Sequence, residues 1–241
     1  MASAKEHYEN HLARHYSWMM GNFTTCSGEF YSFFKVLGTI PHSTGIAIDL
    51  GAGNGLQSIP LACLGFSVIA IDFSRVLLEE LKVLGEGLAI QVVEEDILNF
   101  PAYQGYTPEL VVCMTDTILH LSSSQEVQNL IRNTYKELVP TGRFIISFRP
   151  LAVALQDEAR FIPVQQDENK LFTCFLEYYS DFVKVFDIIH SKQDGVWTQQ
   201  ISSYQKLRLT EKQVVEWLEE AGFILEAIQN EKGFSILVAK K

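Results

Sequence analysis

The run GIAIDLGAGNG at residues 45–55, followed by VIAIDFS at residues 68–74, constrains this 241-residue chain more than any other segment. Ile46 to Leu50 is a short apolar run suited to a strand buried on both faces, and it empties into Gly51-Ala52-Gly53-Asn54-Gly55. Missing Cβ atoms let such a loop turn sharply and approach a ligand. A second apolar run, Val68 to Ile71, ends in Asp72, which leaves room for one crossover helix between the two strands. In a βαβ unit of this kind, an acidic residue ending the second strand takes the two hydroxyls of a ribose. A nucleoside-sized ligand at the mouth of a parallel sheet is the expectation.

More strands follow in register. Ala89 to Val93 reads as a third strand and leads into Glu94-Glu95-Asp96-Ile97, Leu110 to Met114 reads as a fourth, and KELVPTGRFIISFR supplies a fifth. Helices are expected at about residues 56–64, 74–84 and 124–138. Pro60 removes a backbone donor inside the first of these, so that helix should kink or start late. Near the N-terminus, Tyr8, Leu12, Tyr16, Met19 and Met20 recur at helical spacing, a break falls near Gly21-Asn22, and a second helix is expected from about Gly28 to Leu37. Both helices are read as capping the carboxyl edge of the sheet.

The glycine spacing separates two ligand classes. A dinucleotide fingerprint wants glycine at position 56, where Leu56 stands. The actual pattern, G-x-G-x-G preceded by Asp49, resembles motif I of the class I S-adenosylmethionine methyltransferases. That resemblance implies S-adenosylmethionine as cofactor, with Asp49 and the backbone donors of Gly51, Ala52, Gly53 and Gly55 facing its methionyl end and Asp72 on its ribose. Phe73 is then expected on the adenine ring, Asp96 on its exocyclic amine, Ile97 on its other face, and Met114 at the end of the fourth strand. The sulfonium is a cation, and an aromatic face beside it is favourable by roughly 0.5–2 kcal/mol. Tyr16 or Trp18 is positioned to supply that face, although plain core packing explains either residue equally.

After Arg149 the pattern changes to long alternating runs, LFTCFLEYYS, DFVKVFDIIHS and VWTQQISSYQKLRL, with turns at Ser180-Asp181 and Lys192 to Gly195. Three antiparallel strands are expected there, ahead of a helix from Glu211 to Ala221 and two closing strands. The fold class is therefore α/β, a Rossmann-like, seven-stranded and mostly parallel sheet with helices on both faces. A single domain is divided into a helical cap (1–44), a cofactor core (45–150), an antiparallel insertion after the fifth strand (151–209) and a C-terminal helix with strands (210–241).

VCMTDTILHLSSS, FIISFRP and SSYQKLRLTEKQVVEWLEEAGF together resemble glycine N-methyltransferase and related small-molecule N-methyltransferases. Asp116 falls where that group has Asn, His120 on its His, and Arg149 on an Arg associated with the substrate carboxylate. ARHYSWMMG resembles its A-R-x-W-x-x-x-x-G segment and places Tyr16 on the aromatic, while Ser27 stands where the group has another Arg. The resemblance implies methyl transfer to a small amine or amino-acid-like compound, with His120 or Asp116 taking a proton and Arg149 holding an oxyanion. Arg149 and Asp116 paired as a structural ion pair is the alternative. Glu177, Tyr178, Tyr204 and Arg208 on the inserted strands are further candidates, which a solvated face explains as well.

Composition narrows the partners. With 19 Lys and Arg against 29 Asp and Glu, a net charge of −10 and no Lys/Arg cluster with interleaved aromatics, the sequence argues against a nucleic-acid substrate. No apolar run approaches the ~20 residues of a membrane span, and a cytoplasmic monomer or homodimer is expected. Cys26, Cys63, Cys113 and Cys174 are far apart, with no ligand set for a metal. A non-catalytic binding module and an O-methyltransferase acting on a hydroxylated metabolite remain as other readings.

Overall fold

The computed structural model describes residues 4–102 and 105–241. Strands β1 (Ile46–Leu50), β2 (Ser67–Asp72), β3 (Ile90–Glu94), β4 (Leu110–Cys113) and β5 (Arg143–Phe148) run parallel. A C-terminal hairpin, β10 (Ile224–Glu231) and β11 (Phe234–Lys240), closes the sheet antiparallel, in the order β10-β11-β5-β4-β1-β2-β3. Strand order reverses between β1 and β4, and the crevice outside the carboxyl ends of such a switch point is where doubly wound sheets bind ligands.

Both faces of the sheet are covered because its strands are apolar on both sides. Ala47, Val68 and Val112 pack with Phe34 of α3 (Phe23–Val36) and Leu61 of α4 (Ser58–Cys63). Their neighbours Ile48 and Ile69 point the other way, onto Val127 and Leu130 of α6 (Ser124–Glu137) and Val214 and Leu218 of α7 (Glu211–Ala221). Ser123 caps α6 by accepting from the Glu126 N–H, and Thr210 with Gln213 forms a capping box on α7. As expected of Pro60, α4 starts late, with the proline in its first turn, where no intrahelical donor is lost. α5 (Arg75–Leu84) buries Leu77, Leu78 and Leu81.

The insertion forms a second sheet, β6 (Phe161–Gln166), β7 (Lys170–Tyr178), β8 (Phe182–Gln193) and β9 (Val196–Leu207), all antiparallel. Asp194 and Gly195 both have positive φ, 51° and 82°, the two-residue turn whose twist suits a hairpin. Four strands stand where three were expected. β6 was hidden because Pro163 argues against a strand, yet here it sits on an edge strand beside a register shift between Pro163 and Gln165, where proline is tolerated.

The N-terminal cap is α1 (Ala4–His7), a π-helical turn (Tyr8–Leu12) and α2 (Ala13–Met20). It rests on the insertion, since Leu12 is buried with Phe172 and Ile189, and Tyr8, Trp18 and Met19 pack around them. The next helix corrects the sequence reading in two ways. α3 begins at Phe23, because Asn22 caps it by accepting from the Thr25 N–H, and it covers a face of the main sheet instead of its carboxyl edge. Among the described residues no helix is long and apolar enough to cross a membrane.

Candidate active site

A cavity of about 420 Å³ opens beyond the carboxyl ends of β1, β2 and β4, within the roughly 300–1,000 Å³ typical of small-molecule sites. Gly51, Gly53, Asp72, Phe73, Asp96 and Ile97 line it, all of them predicted cofactor residues. Tyr8 and Tyr16 from the cap and His120 from beyond β4 complete the wall. The charged lining consists of Asp72, Glu94, Glu95, Asp96 and Glu126 against Lys5 alone. Such a wall favours a ligand carrying positive charge.

The glycine loop works differently from expectation. The N–H groups of Gly51 and Ala52 both donate to the Ile71 carbonyl, at 2.8 and 3.0 Å, and the Gly55 N–H donates to the Ala52 carbonyl. The Gly53 N–H donates to Asp72 Oδ2 at 2.9 Å. These donors stitch the loop to β2, so what the loop offers a ligand is close approach. A Cβ on Gly51 would lie 2.5 Å from the Thr117 side chain, and one on Gly55 2.3 Å from Leu81 Cδ1. Gly55 therefore serves the packing of α5. It does not line the cavity, and neither do Ala52, Asp49 or Met114, all of which are buried.

Asp72 takes a second N–H, from Ser74 at 2.7 Å, which fixes its carboxylate at the cavity edge. Burial raises its pKa against those bonds and a weaker one from the Phe73 N–H. Asp49 lies deeper, where burial pushes its carboxyl up to about 7 although the Ser58 hydroxyl donates to it at 2.6 Å. Its Oδ1 is buried with no partner. A stranded acceptor behind a glycine-rich loop, an acidic wall and a fixed carboxylate at the cavity edge together fit S-adenosylmethionine, whose methionyl end carries an ammonium. Aromatic contacts close the roof, with Tyr8 edge-on to Phe73 at 5.7 Å and to His120 at 5.6 Å. The roof is tied down where Asn54 donates to the Ser17 hydroxyl, which in turn donates to Glu80.

Backbone strain marks the turn after β4. Thr115 and Asp116 have φ of 56° and 72°, conformations that cost a non-glycine residue on the order of 1–3 kcal/mol and concentrate at functional sites. The turn is held where Ser147 accepts from both N–H groups, through its hydroxyl for Thr115 and its carbonyl for Asp116. Its product is an ion cluster around the buried Asp116 carboxylate. Asp116 accepts from the Arg149 N–H at 2.7 Å, the Arg149 guanidinium at 2.6 Å and the Lys206 ammonium at 2.8 Å. Burial alone would raise the carboxyl, but Lys206 and Arg149 hold it down at about 2. Arg149 lies over the Phe234 ring with its side chain 51% exposed, and it does not line the cavity. Its alternative reading, as the partner of Asp116, is the arrangement found.

His120 is the one predicted catalytic residue on the cavity wall. Burial, with the charge of Lys206 adding to it, lowers its pKa to about 3, so the ring is neutral, and its Nδ1 is buried without a partner. It stacks on Tyr204 at 5.5 Å, and the other side of the stack is His7, 4.2 Å from Tyr204 and bonded to buried Asp187 at 2.9 Å. Trp18 turns away from the cavity, donates to Asp167 and lies beneath Lys170. Arg208 donates to the carbonyls of Leu151, Ala152 and Tyr179 and holds loops in place. Lys206, Tyr8, His7 and Asp187 escaped sequence reasoning as site residues. Alternation along β9, which puts Tyr204 and Lys206 on one face, is the only signal that pointed to any of them.

Residues 47–142 match a family model described as a methyltransferase domain. The ubiquinone biosynthesis O-methyltransferase of Rickettsia conorii is 32% identical over 102 residues, 42% of this chain and 33% of that protein, so the match spans about a third of that relative's length. The CcbJ methyltransferase of Streptomyces caelestis shares the fold with a TM-score of 0.79 and 15% identity over 98% of both chains. CalS10 of Micromonospora echinaspora, an amino pentose methyltransferase solved with S-adenosylmethionine bound, gives a TM-score of 0.67 and 13% identity over 95% of this chain and 93% of that one. Residues 47–142 thus resemble a methyltransferase domain, and the chain shares the fold of these solved S-adenosylmethionine-dependent methyltransferases. S-adenosylmethionine is the methyl donor of that class.

Proposed function

We propose that the protein transfers a methyl group from S-adenosylmethionine to a small-molecule acceptor, an amine or amino-acid-like compound. The observation that carries this reading is the cavity itself, walled by the glycine loop, Asp72, Phe73 and Asp96 and closed by Tyr8, Tyr16 and His120. The cofactor supplies a methyl group on a positively charged sulfur. The remaining work falls to the chain, which must align the acceptor, keep water out and leave a lone pair free, and orientation alone is worth about 7 kcal/mol or more.

In this reading Asp72 holds the ribose, Phe73 and Ile97 enclose the adenine, Asp96 accepts from its amine, and Tyr16 faces the sulfonium. Asp49, buried behind the glycine loop, favours the positive charge of the methionyl end without lining the cavity. His120 orients the acceptor, because a neutral imidazole with a free Nδ1 accepts an N–H but at a pKa of about 3 does not keep a proton near neutrality. Asp116 is equally unsuited as a base, since two cations saturate it. Arg149 and Asp116 act as positioning residues for the strained turn that carries His120. The acceptor amine then enters neutral and releases its proton to water after transfer.

Calorimetry with S-adenosylmethionine, followed by mass analysis of products from a panel of amines, amino acids and phenols, tests the proposal. One cofactor site and a methyl group recovered on nitrogen are expected, with kcat/KM rising with pH toward the pKa of the acceptor. Binding of a nicotinamide dinucleotide with no binding of S-adenosylmethionine overturns it. A methyl group recovered on oxygen supports the second reading, a small-molecule O-methyltransferase, which the match to ubiquinone O-methyltransferases favours.

A further inference from the structure

The inner face of the insertion sheet is packed, whereas its outer face carries a partly exposed apolar and aromatic stripe among polar and charged side chains. Phe172, Leu176, Val183, Val185, Ile189 and Tyr204 point inward and are buried. Alternation therefore turns Leu171, Phe175, Phe186, Ile188, Trp197 and Ile201 outward. Three rings form a ladder across this face, with Phe161 4.6 Å from Phe175 and Phe175 5.8 Å from Phe186. Phe161, Trp197 and Ile201 are 52%, 45% and 56% exposed. An aromatic centre with arginine and lysine at its margin is the composition of an interface core and rim, and Arg160 over Phe175 and Lys184 over Phe186 supply that margin.

We propose that this face is a homodimer interface, formed with a second copy of the chain about a two-fold axis running parallel to the strands between β7 and β8. The register makes the face self-complementary about that line. Glu177 pairs across it with Lys184, and Phe175 with Phe186. A two-fold axis there sets Glu177 of each copy over Lys184 of the other and interleaves the rings. Within one chain Glu177 and Lys184 form no ion pair among the described residues, and Lys184 leans over Phe186 instead. Glu177 is thus left for the second copy.

The area also suffices. Four strands about 4.8 Å apart and four outward rows about 6.8 Å apart, set by Leu171, Thr173, Phe175 and Glu177 of β7, give a face of roughly 19 by 27 Å, about 500 Å² per copy before side-chain relief is counted. Two copies cover about 1,000 Å², the lower bound for a specific interface.

Sedimentation equilibrium of the full chain at micromolar concentration tests this, with S-adenosylmethionine binding as the check that each variant is folded. The wild type should sediment at twice the 27.3-kDa chain mass. Glu177→Lys and Lys184→Glu should each weaken the dimer about 10-fold or more, and the two together should restore it to within a few-fold of wild type. Phe186→Glu, on a face that is solvated in the single chain, should give a folded monomer. A monomeric wild type overturns the proposal, as does a dimer that no variant weakens. If the two charge reversals add to each other's loss with no restoration, the axis is overturned.

Discussion

On the function proposed above, the cofactor half and the acceptor half of this molecule are built by different means. From β1 to β5, each site residue is delivered by the end of its own strand, and the contacts that fix it are local, as where Asp72 binds the N–H two residues on and the loop one strand away. The acceptor half is assembled from three distant segments. His7 and Tyr8 come from the cap, Asp116 and His120 from the turn after β4, and Asp187, Tyr204 and Lys206 from the insertion. Ring stacks and charge pairs, not strand ends, hold these together. A site of the first kind can be read from one stretch of sequence; the second kind exists only in three dimensions and depends on every segment that contributes to it.

The sharpest way to break the comparison is to empty the ion cluster. Asp116→Ala leaves Lys206, largely buried, and Arg149 without their shared carboxylate. Removing one partner of a buried ion pair costs about 3–5 kcal/mol, and urea denaturation should show a loss of that size, with S-adenosylmethionine affinity changed only a few-fold. Arg149→Ala should cost less, because that side chain is half exposed and Lys206 stays on Asp116. A rise in acceptor KM with unchanged stability would instead make Arg149 a direct ligand of the acceptor.

The converse effect belongs to the cofactor half. Asp72→Ala removes charge-assisted bonds to two hydroxyls, worth about 2–3 kcal/mol together with the pinning of Gly53, so calorimetry should show affinity for S-adenosylmethionine falling roughly 30- to 150-fold. Its effect on the insertion should be nil, since among the described residues the side-chain bonds of Asp72 run to Gly53, Phe73 and Ser74. Unchanged cofactor affinity would detach Asp72 from the ribose.

These two halves also differ in how far the sequence disclosed them. Strands β1 to β5, the helices between them and Asp72, Phe73, Asp96 and Ile97 on the cavity wall were legible because a parallel strand buried on both faces is a continuous apolar run and its ligand residues follow within a few positions. The donors of Gly51 to Gly55 were not, because whether an N–H faces a ligand or the Ile71 carbonyl is decided by the neighbouring strand. Arg149 drew attention as an arginine ending a central strand, yet only the structure shows Lys206 arriving from 57 positions further along to share Asp116. Trp18 and Tyr16 stand two residues apart on one helix, and helical periodicity assigned neither to the cavity; the insertion sheet takes Trp18 and leaves Tyr16 over Gly53.

Acid titration sets one buried group of each half against the other. The His120 pKa falls from 6.5 to about 3 on folding, so the unfolded chain binds the extra proton between those values and stability drops as pH falls through that window. Asp49 rises from 3.8 to about 7, so the native state holds the extra proton and stability drops as pH rises toward 7. Each slope is at most about 1.4 kcal/mol per pH unit, and between pH 4 and 6.5 the two oppose and nearly cancel. His120→Gln should expose the Asp49 slope, giving a protein more stable near pH 4 than near pH 7. Asp49→Asn should expose the opposite slope. Parallel curves for wild type and both variants would remove the assigned shifts. Below pH 4 both variants and the wild type should lose about 2 kcal/mol more as Asp116 is protonated through its value of about 2.

The smallest expected effect concerns the cap, which belongs to both halves. Tyr8 and Tyr16 face the cofactor cavity, while Leu12, Trp18 and Met19 are anchored on the insertion. A ligand that fills the cavity gains contact with one side of this helix and leaves the other side as it was, so binding should slow its opening without altering its fold. Hydrogen exchange at residues 8–20 should therefore slow several-fold at saturating S-adenosylmethionine, with α3 unaffected because it packs on the far face of the sheet. Asn54→Ala, which cuts the tie from the glycine loop to Ser17, should raise exchange in the free protein and leave the bound state near wild type. Equal protection with and without the cofactor would make the cap a fixed part of the insertion, and the way into the cavity would then lie past Lys5, Glu95 and Glu126, not beneath Tyr8.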